Sequence, residues 1–186
     1  MSKWSLPESL LVGGKSWPIR SDFRCGLDAM VALQADDLTV AEKADCICRI
    51  IFPDWREIYA EGLFSEAVEA AYRYLDCGRP QNTSGRQQKP VVFWDTDAPL
   101  IFDAINKTRG KDVRTEKMHW WTFCGLYMEI GQSTFADVVS IRQKRAKGKK
   151  LEKTEKEFMR DCPQYFQKRE NKHVMDDIQE YIDLLK

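Results

Sequence analysis

Apolar and polar positions along this chain follow two periods, and the switch between them comes early. Leu10, Leu11 and Val12 precede a Gly13-Gly14 pair, and Trp17 and Ile19 follow it. Two short apolar runs about a two-residue turn predict a β-hairpin over 10–19, with Pro18 holding its second strand at an edge. So short a hairpin must lie on other elements to persist. From Asp22 the spacing becomes helical, with Phe23, Leu27, Met30, Val31 and Gln34 on one face up to the Asp36-Asp37 break. Thr39 and Glu42 then form a capping box, in which hydroxyl and carboxylate satisfy each other's backbone N–H groups. The stripe behind it is Val40, Ala44, Ile47, Cys48 and Ile51, and Pro53 stops the helix. Phe64, Ala67, Val68, Ala71, Tyr72 and Leu75 mark the next helix, over 63–77, closed by Gly78.

Residues 78–90 are polar, carry two prolines and show no period, which predicts a mobile loop over 78–92. Beyond it the pattern predicts helices at 96–109, 115–130 and 134–147. Gly110, Gly131 and Gly148 sit just past their ends, as left-handed stops do. The tail over 149–186 has fewer anchors. Phe158 and Cys162 serve a charged stretch that ends at Pro163, and Val174, Ile178, Ile182 and Leu185 mark an amphipathic helix over 171–185 that needs a surface to dock on. The fold class is therefore all-α: one helical domain over 1–186, of about seven or eight helices, with a short N-terminal hairpin.

One segment stands apart. Met118, Trp120, Trp121, Phe123, Leu126, Tyr127, Met128 and Ile130 make the predicted 115–130 helix apolar almost all the way round. A helix without a polar face is expected to be enclosed by other helices, so this rod should form the centre of the fold.

Composition narrows the function. Lys plus Arg equals Asp plus Glu at 29 each, so the chain as a whole has no bias toward nucleic acid or an anionic membrane. Locally, residues 22–77 carry a net of minus seven and residues 142–153 a net of plus six. Those opposite fields could meet within one subunit, between copies in a homo-oligomer, or with a partner. The six cysteines mostly fall in apolar helical patterns, and none pairs with a nearby His at zinc spacing, which predicts reduced thiols and no metal or other cofactor. The start of the chain lacks a basic region ahead of an apolar core, and no run of 18 uncharged apolar residues exists. A protein of the bacterial cytoplasm, off the membrane, is expected.

Candidate chemistry is sparse. His119 has no second ligand three or four residues away, which favours a structural histidine. Asp95, Asp97, Asp103 and Asp112 lack the spacing of a calcium loop, and the first two suit a helix N-terminus. Trp120 and Trp121 point about 100° apart on a helix, so only one of them can face the core. Arg142, Lys144, Arg145, Lys147, Lys149 and Lys150, with Lys153, are the candidate partner-binding residues. Nucleic acid is the alternative partner, but the run has no interleaved aromatics and no phosphate loop, which argues against it. Nothing sets a nucleophile beside a base, so the expected protein is not an enzyme.

Several of these residues also carry a resemblance. Gly13-Gly14 followed by Ile19-Arg20 and Asp22-Phe23-Arg24, then Asp97-Ala98, Ile101-Phe102 and Ala104-Ile105, then His119-Trp120-Trp121 with Phe123, and finally Phe135 and Ile141-Arg142 before a Lys-rich stretch, occur in that order. Over nearly its whole length the chain resembles a family of tailed-bacteriophage and prophage proteins known by the gene-product number fifteen. The resemblance implies a siphophage tail-module protein encoded beside the tape-measure gene, and from that position a tail assembly chaperone whose partner is the tape-measure protein or another tail protein. It marks Asp97, His119, Trp120 and Trp121 as motif residues with a structural role. The chain departs from the family pattern in its polar 78–90 loop and in Asn106-Lys-Thr-Arg, where a more aromatic helix end is expected.

Overall fold

Glycine at both turn positions lets the hairpin close with two residues: Gly13 has φ +58° and Gly14 +75°, the left-handed pair that a type I′ turn needs. In the computed structural model, which describes residues 5–79 and 90–167 together with 181, 183 and 184, the hairpin joins β1 (Ser9–Val12) to β2 (Lys15–Pro18). Ser9 faces Pro18 and Val12 faces Lys15, so the proline lies at the strand end. Trp17 turns inward, buried, and its indole N–H donates to the Val12 carbonyl at 3.2 Å.

Helices follow in chain order. α1 (Phe23–Gln34) starts under an Asp22 cap, and α2 (Val40–Ile51) starts under the expected Thr39–Glu42 capping box. α3 (Trp55–Ala60) comes next, then α4 (Phe64–Leu75) and α5 (Trp94–Arg109). α6 (Trp120–Met128), α7 (Thr134–Ala146) and α8 (Lys153–Asp161) complete the set, with 3₁₀ turns at Val113–Thr115 and Pro163–Phe166. Among the described residues the chain is thus eight α-helices and one hairpin, as the periodicity predicts.

α1 packs on α2 and α2 on α4, while α1 also meets α5 and α6, so one aromatic core runs between them. Phe23 stacks on Phe123 at 4.9 Å between ring centres, and Phe102 meets both rings edge-on. β1 lies on α4, where the Gly13 amide donates to Glu66 at 2.9 Å. A second, smaller cluster of Val138, Ile141 and Phe166 gathers Leu151, Phe158 and Met159 where α7 meets the end of the described chain.

The structure corrects five expectations. α3 was not foreseen, because six residues with one buried side chain, Ile58, are too few to show a period. α5 begins two residues early, since the Phe93 carbonyl accepts from Thr96 and Asp97, and the Asp97 side chain accepts from the Phe93 N–H at 2.9 Å. The 115–130 helix is shorter: Asp112 caps a 3₁₀ turn, and His119 bridges Asp22 as an antiparallel pair just ahead of α6, with Phe23 N–H to Met118 O and Trp120 N–H to Ser21 O both at 2.8 Å. Gly131 does not act as a left-handed stop, whereas Gly78, Gly110 and Gly148 do, at φ +64° to +71°.

The fifth correction concerns the apolar rod. Only Trp120 and Phe123 of α6 are buried, while Met128 is 59% exposed. α6 is not wrapped on all sides; it lies at the edge of the fold with one face in water. The 78–90 loop and the 171–185 helix fall almost wholly outside the described residues, although Tyr181 packs on the main core.

Gly26 shows how closely α6 is seated on its buried side. A Cβ built there would stand 2.2 Å from the Trp120 ring. Alanine for glycine inside a helix normally stabilises by about 0.5–1 kcal/mol, so the two glycines of this contact should behave oppositely. Gly26→Ala should lower the unfolding free energy by about 1–3 kcal/mol through overpacking. Gly125→Ala, with nothing within 4 Å of its Cβ, should raise it. Urea denaturation of both variants reads the sign directly.

Candidate functional site

Two constellations organise the residues singled out from the sequence. Asp97 is fully buried near the start of α5, and Arg142 on α7 faces it with Nη1 to Oδ2 at 2.5 Å and Nη2 to Oδ1 at 3.0 Å, a two-pronged ion pair. The same guanidinium donates from Nη1 to Val91 O at 3.0 Å, and from Nε and Nη2 to Tyr165 O at 3.0 and 2.7 Å. Its plane also lies 4.8 Å from the Phe93 ring centre. One arginine thereby joins the entry to α5, the body of α7 and the 3₁₀ turn after α8.

The second constellation is built on His119. It is the N-cap of α6: the Trp121 amide donates to Nδ1 at 3.0 Å, which leaves the ring proton on Nε2, and Nε2–H donates to Pro7 O at 3.0 Å. The two indoles then divide. Trp120 is buried and donates to Leu75 O at 2.9 Å; Trp121, half-buried, donates to Tyr74 O at 2.8 Å. Both carbonyls belong to the last turn of α4, where a helix has acceptors left over. The adjacent tryptophans therefore act as side-chain caps for a helix distant in sequence.

The basic segment divides as well. Arg142 is spent inside the fold, Lys144 pairs with Glu155 at 2.6 Å, and Arg145 donates to Phe166 O at 3.3 Å. Lys147, Lys149 and Lys150 are exposed at the tip beyond α7. The structure thus separates the six candidates into three that brace the α7–α8 corner and three that face water.

Titratable groups elsewhere hold the fold. The Tyr59 hydroxyl donates to Asp45 at 2.5 Å, and burial together with that bond pushes its pKa up. Burial lifts the Cys48 thiol to about 11. The Arg114 side chain and its amide hold the Asp112 carboxyl well below the usual range, and Asn106 bonds the same carboxylate at 3.2 Å while accepting from the Val113 N–H at 2.8 Å. Asn106, at the departure from the family pattern, thus shapes the turn after α5.

Two grooves open on the surface. One, of about 270 Å³, lies between α7 and α8 and is lined by Asp137, Ser140, Ile141, Thr154, Glu155 and Phe158. The other, of about 330 Å³, is lined by Val31, Gln34, Ala35, Asp36, Asp37 and Asp95. Neither lining includes histidine or cysteine. Among the described residues no three His, Cys, Asp or Glu side chains gather as a cation site, and no helix is long and apolar enough to cross a membrane. The surface that sequence reasoning missed is the outer side of α6. Exposed Thr122, Gly125 and Met128 lie there, a strip whose apolar member, Met128, a count of greasy residues places in the core.

A family model described as Bacteriophage Gp15 protein matches residues 4–167, a span that takes in both constellations and the α6 strip. The chain belongs to that family. No curated protein and no solved structure matches it. The residues by which a Gp15 chain was legible in the sequence turn out to touch one another: Asp97 meets Arg142, Phe23 stacks on Phe123, and Asp22 bridges His119.

Removing the guanidinium should be among the costliest changes available to this Gp15 protein. Arg142→Met leaves Asp97 buried and unpaired and should cost about 3–5 kcal/mol, whereas Arg142→Met with Asp97→Leu should recover most of that loss. Lysine cannot reproduce the planar fork, so Arg142→Lys should fall close to Arg142→Met. Replacing Lys147, Lys149 and Lys150 by Gln should change stability by no more than about 0.5 kcal/mol. Guanidinium chloride melts of the four variants check the set.

Proposed function

We propose that this phage protein is a non-enzymatic tail assembly chaperone that binds the tape-measure protein, or a tail assembly intermediate, through the open face of α6. The observation that carries the reading is the position of that helix. Its buried side is fixed by Trp120 and Phe123, yet Met128 at its end is 59% exposed, on the same side as exposed Gly125. Exposed apolar area of this kind suits an amphipathic helix laid against it. A tape measure, long and helical with apolar surface, is a partner of that chemistry, and such an encounter belongs in the host cytoplasm. Methionine fits the role because its flexible thioether adapts to irregular partner surfaces.

The lysine tip is the second element of the reading. Lys147, Lys149 and Lys150 would steer an acidic partner segment without adding much affinity. A nucleic-acid role for the same run is weaker, because three of its six cations are engaged within the fold and cannot reach phosphates.

Co-expression with fragments of the tape-measure protein from the same phage tests the proposal. At least one fragment should co-purify, and Gly125→Glu with Met128→Glu, both at exposed positions, should lower capture about tenfold or more while leaving the melting temperature near that of the parent. The lysine-to-glutamine triple variant should slow association and flatten its salt dependence. If no fragment binds or gains solubility, or if the α6 double variant binds as the parent does, the reading is wrong.

A further inference from the structure

We propose that Cys77 and Cys124 form a reversible redox pair, closing a disulfide between the turn after α4 and the middle of α6 when the protein meets a peroxide. The inference is independent of the chaperone reading. It starts from the two indole caps: Trp120 and Trp121 bond Leu75 and Tyr74 at 2.9 and 2.8 Å, holding α6 across the end of α4. Cys77 lies two residues beyond Leu75. Cys124 lies three and four residues beyond the tryptophans, one helical turn along the same side. Gly78 completes the approach, its Cβ position 3.4 Å from the Trp121 ring.

The two thiols consequently come close enough for each to perturb the other's titration, and both are free and half-buried. Cys77 also holds φ +56°, the single non-glycine residue with positive φ among the described residues, so its side chain is aimed by a backbone state that few residues adopt. The pair is asymmetric. Each thiol shifts the other most: the Cys77 pKa is lowered against the opposing effect of burial, that of Cys124 is raised with burial adding to it, and Arg79 lowers and Asp76 raises Cys77 more weakly. In the proposed pair Cys77, set in the turn beside Arg79, is the attacking sulfur and Cys124, on the helix, the resolving one.

The chemistry balances with hydrogen peroxide as oxidant. The Cys77 thiolate attacks one peroxide oxygen, the O–O bond breaks, and the departing hydroxide takes a proton to leave as water, giving a sulfenic acid. Cys124 sulfur then attacks the Cys77 sulfur, the S–O bond breaks, and the second oxygen leaves as water with the Cys124 proton. Two thiols lose two hydrogens and two electrons, and one peroxide becomes two waters.

The test uses the full chain, reduced and then treated with hydrogen peroxide. Thiols titrated in denaturant should fall from six to four, with a mass loss of two hydrogens and a non-reduced peptide map that joins Cys77 to Cys124. The melting temperature should rise by about 5 °C and return when a dithiol reductant is added. Cys77→Ser should keep all five remaining thiols, Cys124→Ser should stop at an unresolved sulfenic acid on Cys77 with four thiols left, and Cys25→Ser should fall from five to three. Six thiols surviving peroxide, a bridge between another pair, or Cys77 oxidised to sulfinic acid without a bridge would overturn the proposal. Should a serine variant fail to fold, the map of the parent chain still decides.

Discussion

A carboxylate shut away from water and a guanidinium brought to meet it each give up several kcal/mol of hydration, and the cost is recovered only if nearly every lone pair and N–H finds a partner. Asp97 and Arg142 meet that condition. The carboxylate takes two guanidinium bonds and the Phe93 amide, and the guanidinium adds the carbonyls of Val91 and Tyr165. Five chain positions from three parts of the sequence are thereby fixed relative to one another. α7 is placed on α5 by this pair, and the smaller Val138–Ile141–Phe166 cluster can form only because α7 and the 3₁₀ turn are already held. An ion pair with so many dependent contacts contributes registry more than net stability.

Elsewhere in the same core, indole N–H groups do for α4 what a glycine motif does for other helices. Trp120 and Trp121 satisfy carbonyls in its last turn, and His119 both caps α6 and reaches back to Pro7. These bonds all fall at the start of α6. Its first turn is consequently pinned from several sides, while its last, where Tyr127 still meets Trp94 and Phe135, leaves Met128 59% exposed. An apolar helix can therefore lie at the edge of a fold: its anchoring is directional, and hydrophobic content alone does not say which turn is anchored.

Where the sequence was legible, one physical signal dominated locally. Gly13-Gly14 specified the hairpin, Thr39 and Glu42 the start of α2, and the stripe from Phe64 to Leu75 the whole of α4. It failed where a distant residue overrode local preference. Met118 reads as the first turn of a helix, yet its carbonyl pairs with Phe23, far away in sequence, and the backbone stays extended. The same holds for the candidate site. Arg142 reads as one of seven basic residues in a charged run, and no periodicity reveals that its partner is an aspartate 45 positions earlier. The resemblance put Asp97 and His119-Trp120-Trp121 forward together; the contacts that unite them became visible only in three dimensions.

Those contacts also bear on where binding can occur. Arg142 has turned its donors to the fold, and each ring nitrogen of His119 and both indole N–H groups are already bonded. Polar atoms occupied in this way have little left to offer another molecule without unfolding something. The residues by which the Gp15 family is recognised therefore account for its shape. Any partner of this chain would have to use atoms the fold leaves unspent, and those include Met128 on the outer side of α6 and the lysines past α7. The two would contribute differently: an exposed apolar side chain gains its energy by excluding water and governs how tightly a partner is held, while exposed lysines act at a distance and govern how fast it arrives. In this chain the side chains that carry the family motif and those left open to another molecule are thus separate sets, and the second can change while the first stays intact.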